Sequence, residues 1–270
     1  AEGGYEFAPD NEINGISLVG VGSGTTMEYI QVEGNSDDGI EFYGGDVNLK
    51  YGVFTNNLDD SVDWDEGYQG NLQHIIVKQS NAGGGEAFEM DTQGADEPLS
   101  KPTVANVTIV AAKKAADDPY IMQFKKLSGG FFHNVVITVA DDSANTFDSC
   151  ARIRDGSETL VNTALVFNNW IQDCANDGSG GSLTSANSEA GADAVGNASI
   201  VVTDPALDAI LSSQAPEAVL NAAINWTEVN AAYSESTANT SYLDATDFIG
   251  AVNPDGSNPW WAGWTIPGTL

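Results

Sequence analysis

Apolar and polar residues alternate in five short segments of the chain, at 40–43, 62–65, 88–91, 122–125 and 151–154. Alternation with a period of two marks a strand with one buried face. The first and third positions are apolar throughout. The second positions read Glu41, Asp63, Glu89, Gln123 and Arg152, and the fourth read Tyr43, Asp65, Asp91, Lys125 and Arg154. Successive second positions lie 22, 26, 34 and 29 residues apart. One strand per interval, with insertions of variable length between, predicts a solenoid. The expectation is an all-β chain folded as a parallel β-helix, with these five strands stacked in one sheet.

A second set of segments, rich in Val, Ile and Thr, falls between the first, at 27–32, 49–54, 72–77, 104–110, 132–138 and 160–166. Asn106, Asn134 and Asn162 recur in it at intervals of 28, and Asn197 follows after 35. An asparagine column at a fixed turn suits stacked coils, because each amide can bond its own turn and the amide one coil away. Phe42, Trp64, Phe88 and Phe124 fall at inward positions and are read as core. Residues 13–21 read as a first strand. The glycines at 20–26 form a turn and not a phosphate loop, since the loop lysine and a following helix pattern are both missing.

The coil is expected over 1–203, with a Gly/Ser/Ala/Asp-rich surface loop at 173–196. Asp204-Pro205 gives a helix cap followed by proline at the first helical position, and two short helices over 204–233 are expected to cover the open end of the coil. The tail, 234–270, holds Trp260, Trp261 and Trp264 and is expected to pack on the solenoid, since exposed aromatic clusters are costly. Nothing comparable covers the other end. That predicts a partner there: a missing N-terminal β-helix portion, or a second copy stacked end to end.

Composition narrows the partners. Lys and Arg number 9 against 39 Asp and Glu, for a formal charge of −30. Such a field repels nucleic acid and anionic lipid, and it favours divalent cations. No run of 18 apolar residues could span a membrane. The chain starts at Ala1 without a signal peptide, as a processed or truncated form would. Cys150 and Cys174 lie 24 residues apart, about one coil, so a disulfide between neighbouring coils is expected, with two reduced buried thiols as the alternative. The disulfide would place the protein outside the cell or at its surface.

The candidate chemistry is acidic. Asp37-Asp38 and Asp59-Asp60 lie 22 residues apart, at the same place in consecutive coils. Stacking brings equivalent residues to about 4.8 Å, where carboxylates repel unless protons or a cation intervene. Oxygen-only ligands select a hard ion, and Ca²⁺ tolerates irregular geometry. The candidate Ca²⁺ ligands are Asp37, Asp38, Asp59 and Asp60, with Asp63, Asp65, Glu89 and Asp91 in the neighbouring column. The change of sign from Asp65 and Asp91 to Lys125 and Arg154 describes either cross-strand ion pairing or a groove for an anionic polysaccharide.

Asp10 to Leu18, Gly22-Ser-Gly-Thr-Thr26, Asp37 to Gly45, Asp59 to Gly67 and the closing Trp261-Ala-Gly-Trp-Thr265 resemble a group of bacterial β-helix proteins. These are secreted or lipoprotein-like, are common in marine bacteria, and have no agreed activity. The resemblance implies a right-handed parallel β-helix at the cell surface, usually with more coils upstream. Asn35-Ser36-Asp37, Asp59-Asp60 and Arg152-Ile153-Arg154 are also faintly similar in order to the polygalacturonase motifs, although the Gly-His-Gly of that family is missing. The leading expectation is therefore a calcium-stabilised structural or adhesive module, self-assembling or holding a glycan. The alternative is a glycoside hydrolase or lyase acting on acidic polysaccharide, in which Asp37, Asp59, Asp60, Arg152 and Arg154 would act. A lyase could also use Lys125 as its base.

Overall fold

A computed structural model describes residues 4, 13–80, 84–93, 98–112, 120–139, 147, 149–173, 183–185, 200–202, 242–246, 248–253 and 259–270. The expected helices at 204–233, Cys174 and Asn197 lie outside these residues. Two parallel sheets alternate along the chain. The first stacks β1 (Ile16–Val19), β3 (Ile40–Tyr43), β5 (Val62–Asp65), β7 (Phe88–Met90), β9 (Tyr120–Phe124), β11 (Ser149–Ile153) and β13 (Leu183–Ser185) in chain order. The second stacks β2 (Thr26–Glu33), β4 (Asn48–Thr55), β6 (Asn71–Lys78), β8 (Thr103–Ala111), β10 (Gly130–Val139), β12 (Leu165–Asp173) and β14 (Ile200–Val202). Each coil contributes one strand to each sheet, and all pairings are parallel, which makes this a parallel β-helix.

The register in the first sheet is the one the alternation predicts. Glu41 pairs with Asp63, Asp63 with Glu89, Glu89 with Gln123 and Gln123 with Arg152. Phe42, Trp64, Phe88 and Phe124 point inward and are fully buried. Trp64 stacks on Phe132, which stacks on Phe167, at centroid separations of 6.2 and 5.8 Å. The Trp64 indole N–H donates to Ser128 Oγ at 3.0 Å, so the buried ring leaves no unpaired donor.

The strands of the second sheet are interrupted. Tyr29, Tyr51, His74, Asn106 and Asn134 all have φ between 54 and 61°. Strand pairing skips them: Glu28 pairs with Lys50 and Ile30 with Gly52, but Tyr29 and Tyr51 do not pair. A left-handed residue inside a strand breaks the alternation of side chains and kinks the chain. Each coil therefore turns within this sheet as well as between sheets. Asparagine tolerates this conformation; tyrosine and histidine adopt it at a cost of about 1–2 kcal/mol each.

The described part of the tail lies over this kinked column. Asn106 and Asn134 Nδ2 both donate to Phe248 O, at 3.2 and 2.9 Å. Tyr29 stacks on Tyr51 at 4.6 Å and Tyr51 on His74 at 5.1 Å, with Trp260 against Tyr51 and His74 and Trp264 against Tyr29. Ile249, Ala251, Val252, Trp260 and Trp261 bury a second core against Val53, Ile76, Val110 and Val136. The tail returns from β10, where Gly250 N–H donates to Asn134 O, to β2, where Gln31 Nε2 donates to Thr269 Oγ1.

Two expectations are corrected. No strand spans 160–166. Ser157–Leu160 forms a 3-10 turn, and β12 begins at Leu165. The hydroxyls of Thr159 and Thr163 donate to Gly156 O and Leu160 O, offering the backbone local partners that compete with a ladder. Asn162 is therefore exposed in a turn, and position 169, between the paired residues 168 and 170, takes the column place. The stretch 173–196 is also not loop throughout, because β13 lies within it and pairs with β11, extending the sheet by one strand.

Candidate functional site

Two columns of carboxylates run side by side on the outer face of the first sheet. Gly39 N–H donates to Asp60 O and Ser61 N–H to Glu86 O, which sets Asp38, Asp60 and Glu86 at equivalent places in three coils. Glu41, Asp63 and Glu89 form the adjacent column three residues further on. The close approach of coils depends on Gly39, where a Cβ would lie 2.5 Å from both Asn57 Nδ2 and Ser61 O.

The first column is tied into the backbone. Asp38 Oδ1 accepts from the Asp60 N–H at 3.0 Å, and Asp60 Oδ1 accepts from the Glu86 N–H at 2.5 Å. Each aspartate thus caps the turn of the following coil. The array is closed at both ends by amides. Asn14 Nδ2 donates to Glu41 Oε2, and Gln123 Nε2 donates to Glu86 Oε1 at 2.8 Å and to Glu89 Oε1 at 3.3 Å. Lys125 Nζ meets Glu89 Oε2 at 2.6 Å.

Three groups bring ligand oxygens within 4.8 Å of one another: Asp37, Asp38 and Asp59; Asp38, Glu41 and Asp63; and Asp60, Glu86 and Glu89. Asp38 and Asp60 are 6 and 5 % exposed. Burial, then the charges of Asp59, Glu41 and Asp37, pushes the Asp38 carboxyl up to about 9. Burial and Glu86, Asp38 and Glu89 hold Asp60 well above the usual carboxylate range. Burial and Asp38, Glu89 and Glu41 do the same to Asp63, whose buried Oδ1 accepts no hydrogen bond. Glu41 is also raised, by burial above all. These carboxyls need protons or a hard cation near neutral pH. The oxygen-only donor set suits Ca²⁺, and Asp37, Asp38, Asp59, Asp60, Glu41, Asp63, Glu86 and Glu89 are the residues that would hold it.

The remaining expected residues are placed differently. Asp65 lies in the next column, where Gln93 Nε2 donates to its Oδ2 at 3.0 Å, and Asp91 Oδ2 meets Lys126 Nζ at 2.7 Å, so neither belongs to the three groups. Arg154 meets Asp155 at 3.4 Å, and the Arg152 guanidinium lies over the Tyr120 ring at 4.9 Å. Burial pulls the Lys125 ammonium down, but the Glu89 hydrogen bond and charge outweigh it and the net shift is upward. The basic end of the face is thus held by its own acidic and aromatic neighbours. Arg152 and Arg154 also sit three strands from β5, about 14 Å at the usual spacing, too far to act with Asp59 or Asp60. Glu41 and Glu86 are ligand candidates that the reading of the sequence passed over. For Glu86 a signal existed, since Asp60 to Glu86 repeats the 26-residue step from Asp63 to Glu89.

The family model of the pectate-lyase-like β-helix domain matches residues 2–265. The chain belongs to this family. Membership in the pectate-lyase-like β-helix family agrees with the two parallel sheets described above and fits a role related to polysaccharide. No curated protein and no solved structure matches the chain.

Proposed function

We propose that this pectate-lyase-like β-helix is a calcium-stabilised structural or adhesive module outside the cell or on its surface, and that its first sheet faces a polysaccharide. The supporting observation is the crowding of carboxylates into three groups whose oxygens lie within 4.8 Å of one another, with Asp38 and Asp60 almost fully buried. Such an array is stable as a cation site and strained without one. The expected result is a rise in melting temperature with Ca²⁺ that EDTA reverses and that Asp60→Asn with Glu86→Gln abolishes. A melting temperature indifferent to Ca²⁺ over the micromolar to millimolar range refutes the reading. The module would lengthen by stacking a copy or an upstream coil on β1 and β2, which have one partner strand each among the described residues. A sedimentation coefficient independent of concentration would refute self-stacking.

Hydrolysis or elimination of acidic glycan is the weaker reading. A carboxyl kept protonated near neutrality, as Asp38 is, could serve as a general acid. Within each of the three groups the oxygens lie within 4.8 Å, closer than the about 6.5–9.5 Å of an inverting pair, so hydrolysis within a group would have to be of the retaining kind. Lys125, raised and paired, is a poor base.

A further inference from the structure

A cavity of about 540 Å³ opens beside the carboxylate array, lined by Val19, Gly20, Tyr43, Gly44, Gly45 and Glu66. It lies at the C-terminal ends of β1, β3 and β5, where the chain leaves the first sheet. Val19, Tyr43 and Asp65 pair in register and form the outermost column of that sheet. In the first two coils this column is apolar and aromatic, and only from the third coil does it turn acidic. Val19 is 74 % exposed, and Tyr43 is half-buried.

Tyr43 is held in place. Its hydroxyl donates to the Glu41 carboxylate, which also accepts from Asn14. The turn beneath it is equally fixed: Gly44 has φ +64°, and a Cβ there would lie 2.6 Å from Glu66 O. The ring is therefore a wall with its orientation set before any ligand arrives, which lowers the ordering cost of binding. On the open side, nothing lies within 4 Å of a Cβ built at Gly20.

We infer that this cavity is a subsite for one pyranose ring of a polysaccharide, and that the ring it takes carries no carboxylate. Tyr43 and Val19 offer an apolar surface to the C–H face of a sugar, and Glu66 offers acceptors to hydroxyls or to an amine. Few precisely placed polar groups on an apolar wall are the usual make-up of such a pocket. Charge decides the class. Glu41, Asp65 and Glu66 surround the ring, and the cationic side chains Lys125, Lys126 and Arg154 are paired with acids further down the face. A uronate would enter a negative field in a cavity whose lining holds no lysine or arginine. The inference rests on the polysaccharide-related reading above but is opposite in charge to the acidic glycan considered from the sequence.

The test is titration of the full chain with three oligosaccharides of equal length, cellohexaose, a glucosamine hexamer and oligogalacturonate, followed by saturation-transfer NMR and calorimetry. Binding of cellohexaose or the glucosamine hexamer is expected, weakened about tenfold or more by Tyr43→Ala. Val19→Glu, at an exposed position, is expected to weaken it as well and serves if Tyr43→Ala fails to fold. Glu66→Gln should weaken the glucosamine hexamer more than cellohexaose. Absence of binding by both carboxylate-free hexamers, preference for oligogalacturonate, or affinity unchanged in the folded variants overturns the inference. The Ca²⁺-dependent rise in melting temperature should survive Val19→Glu, so failure of the subsite and failure of the calcium reading are distinguishable.

Discussion

Asp38 makes a quantitative demand on the stability of the apo protein. Its carboxyl moves from the ordinary 3.8 in the unfolded chain to about 9 when folded. Folding therefore takes up a proton between these values. The stability that protonated Asp38 allows is fully present below about pH 4 and is lost progressively as pH rises towards 9. The slope is about 1.4 kcal/mol per pH unit for each such group. His74 and His133 work in the opposite sense at lower pH. Their folded values are depressed to about 4 and about 3, mainly by burial, so their contribution is complete once pH exceeds the ordinary 6.5. The window from pH 7 to pH 9 separates Asp38 and its raised neighbours Asp60 and Asp63 from the histidines. In EDTA, urea denaturation should show a loss of about 2 kcal/mol across it from Asp38 alone, a large part of the 5–15 kcal/mol typical of a folded protein. Asp38→Asn should make the profile shallower. Saturating Ca²⁺, which binds the ionised array, should offset the loss, by about 2.7 kcal/mol at one hundred times its dissociation constant. A stability in EDTA that is constant or rises between pH 7 and pH 9 would refute the buried, protonated array.

Three further outcomes follow from the packing. Asn106→Ala removes the donors to Phe248 O and Gly250 O and puts alanine at φ 54°, so a loss of about 2–4 kcal/mol in chemical denaturation is expected; Asn106→Gly, which keeps the conformation, should cost less. The His74 ring proton should titrate near pH 4 by NMR, and a midpoint near 6.5 would mean that the tail does not cover the ring. Cys150 is fully buried, and its expected pairing with Cys174 predicts no reactive thiol in denaturant until reductant is added, with a mass gain of two hydrogens on reduction.

The first sheet was legible because its signal is local and periodic. Glu41, Asp63 and Glu89 stand at the same place in an alternating segment, and stacking follows from that alone. The kinked column was legible only in part. Asn106 and Asn134 announce it by residue type, whereas Tyr29, Tyr51 and His74 take the same left-handed conformation without a residue preference to betray it. Tail packing holds them there, and contacts across about 200 residues leave no periodic trace. Asn162 misled for the complementary reason: its spacing fitted, but the Thr159 and Thr163 hydroxyls made a turn of that segment. The Tyr43 cavity depends on how three turns meet, and no single segment encodes it.

The returning tail has a consequence for how the protein can change in length. It runs from Asn134 in β10 to Gln31 in β2 and is anchored at both places by hydrogen bonds. One extra coil inserted between them would lengthen the stack by about 4.8 Å and would need one or two more extended residues in the tail. The tail is therefore a ruler: within the span it crosses, the number of coils cannot drift by duplication unless the C-terminal segment grows in step.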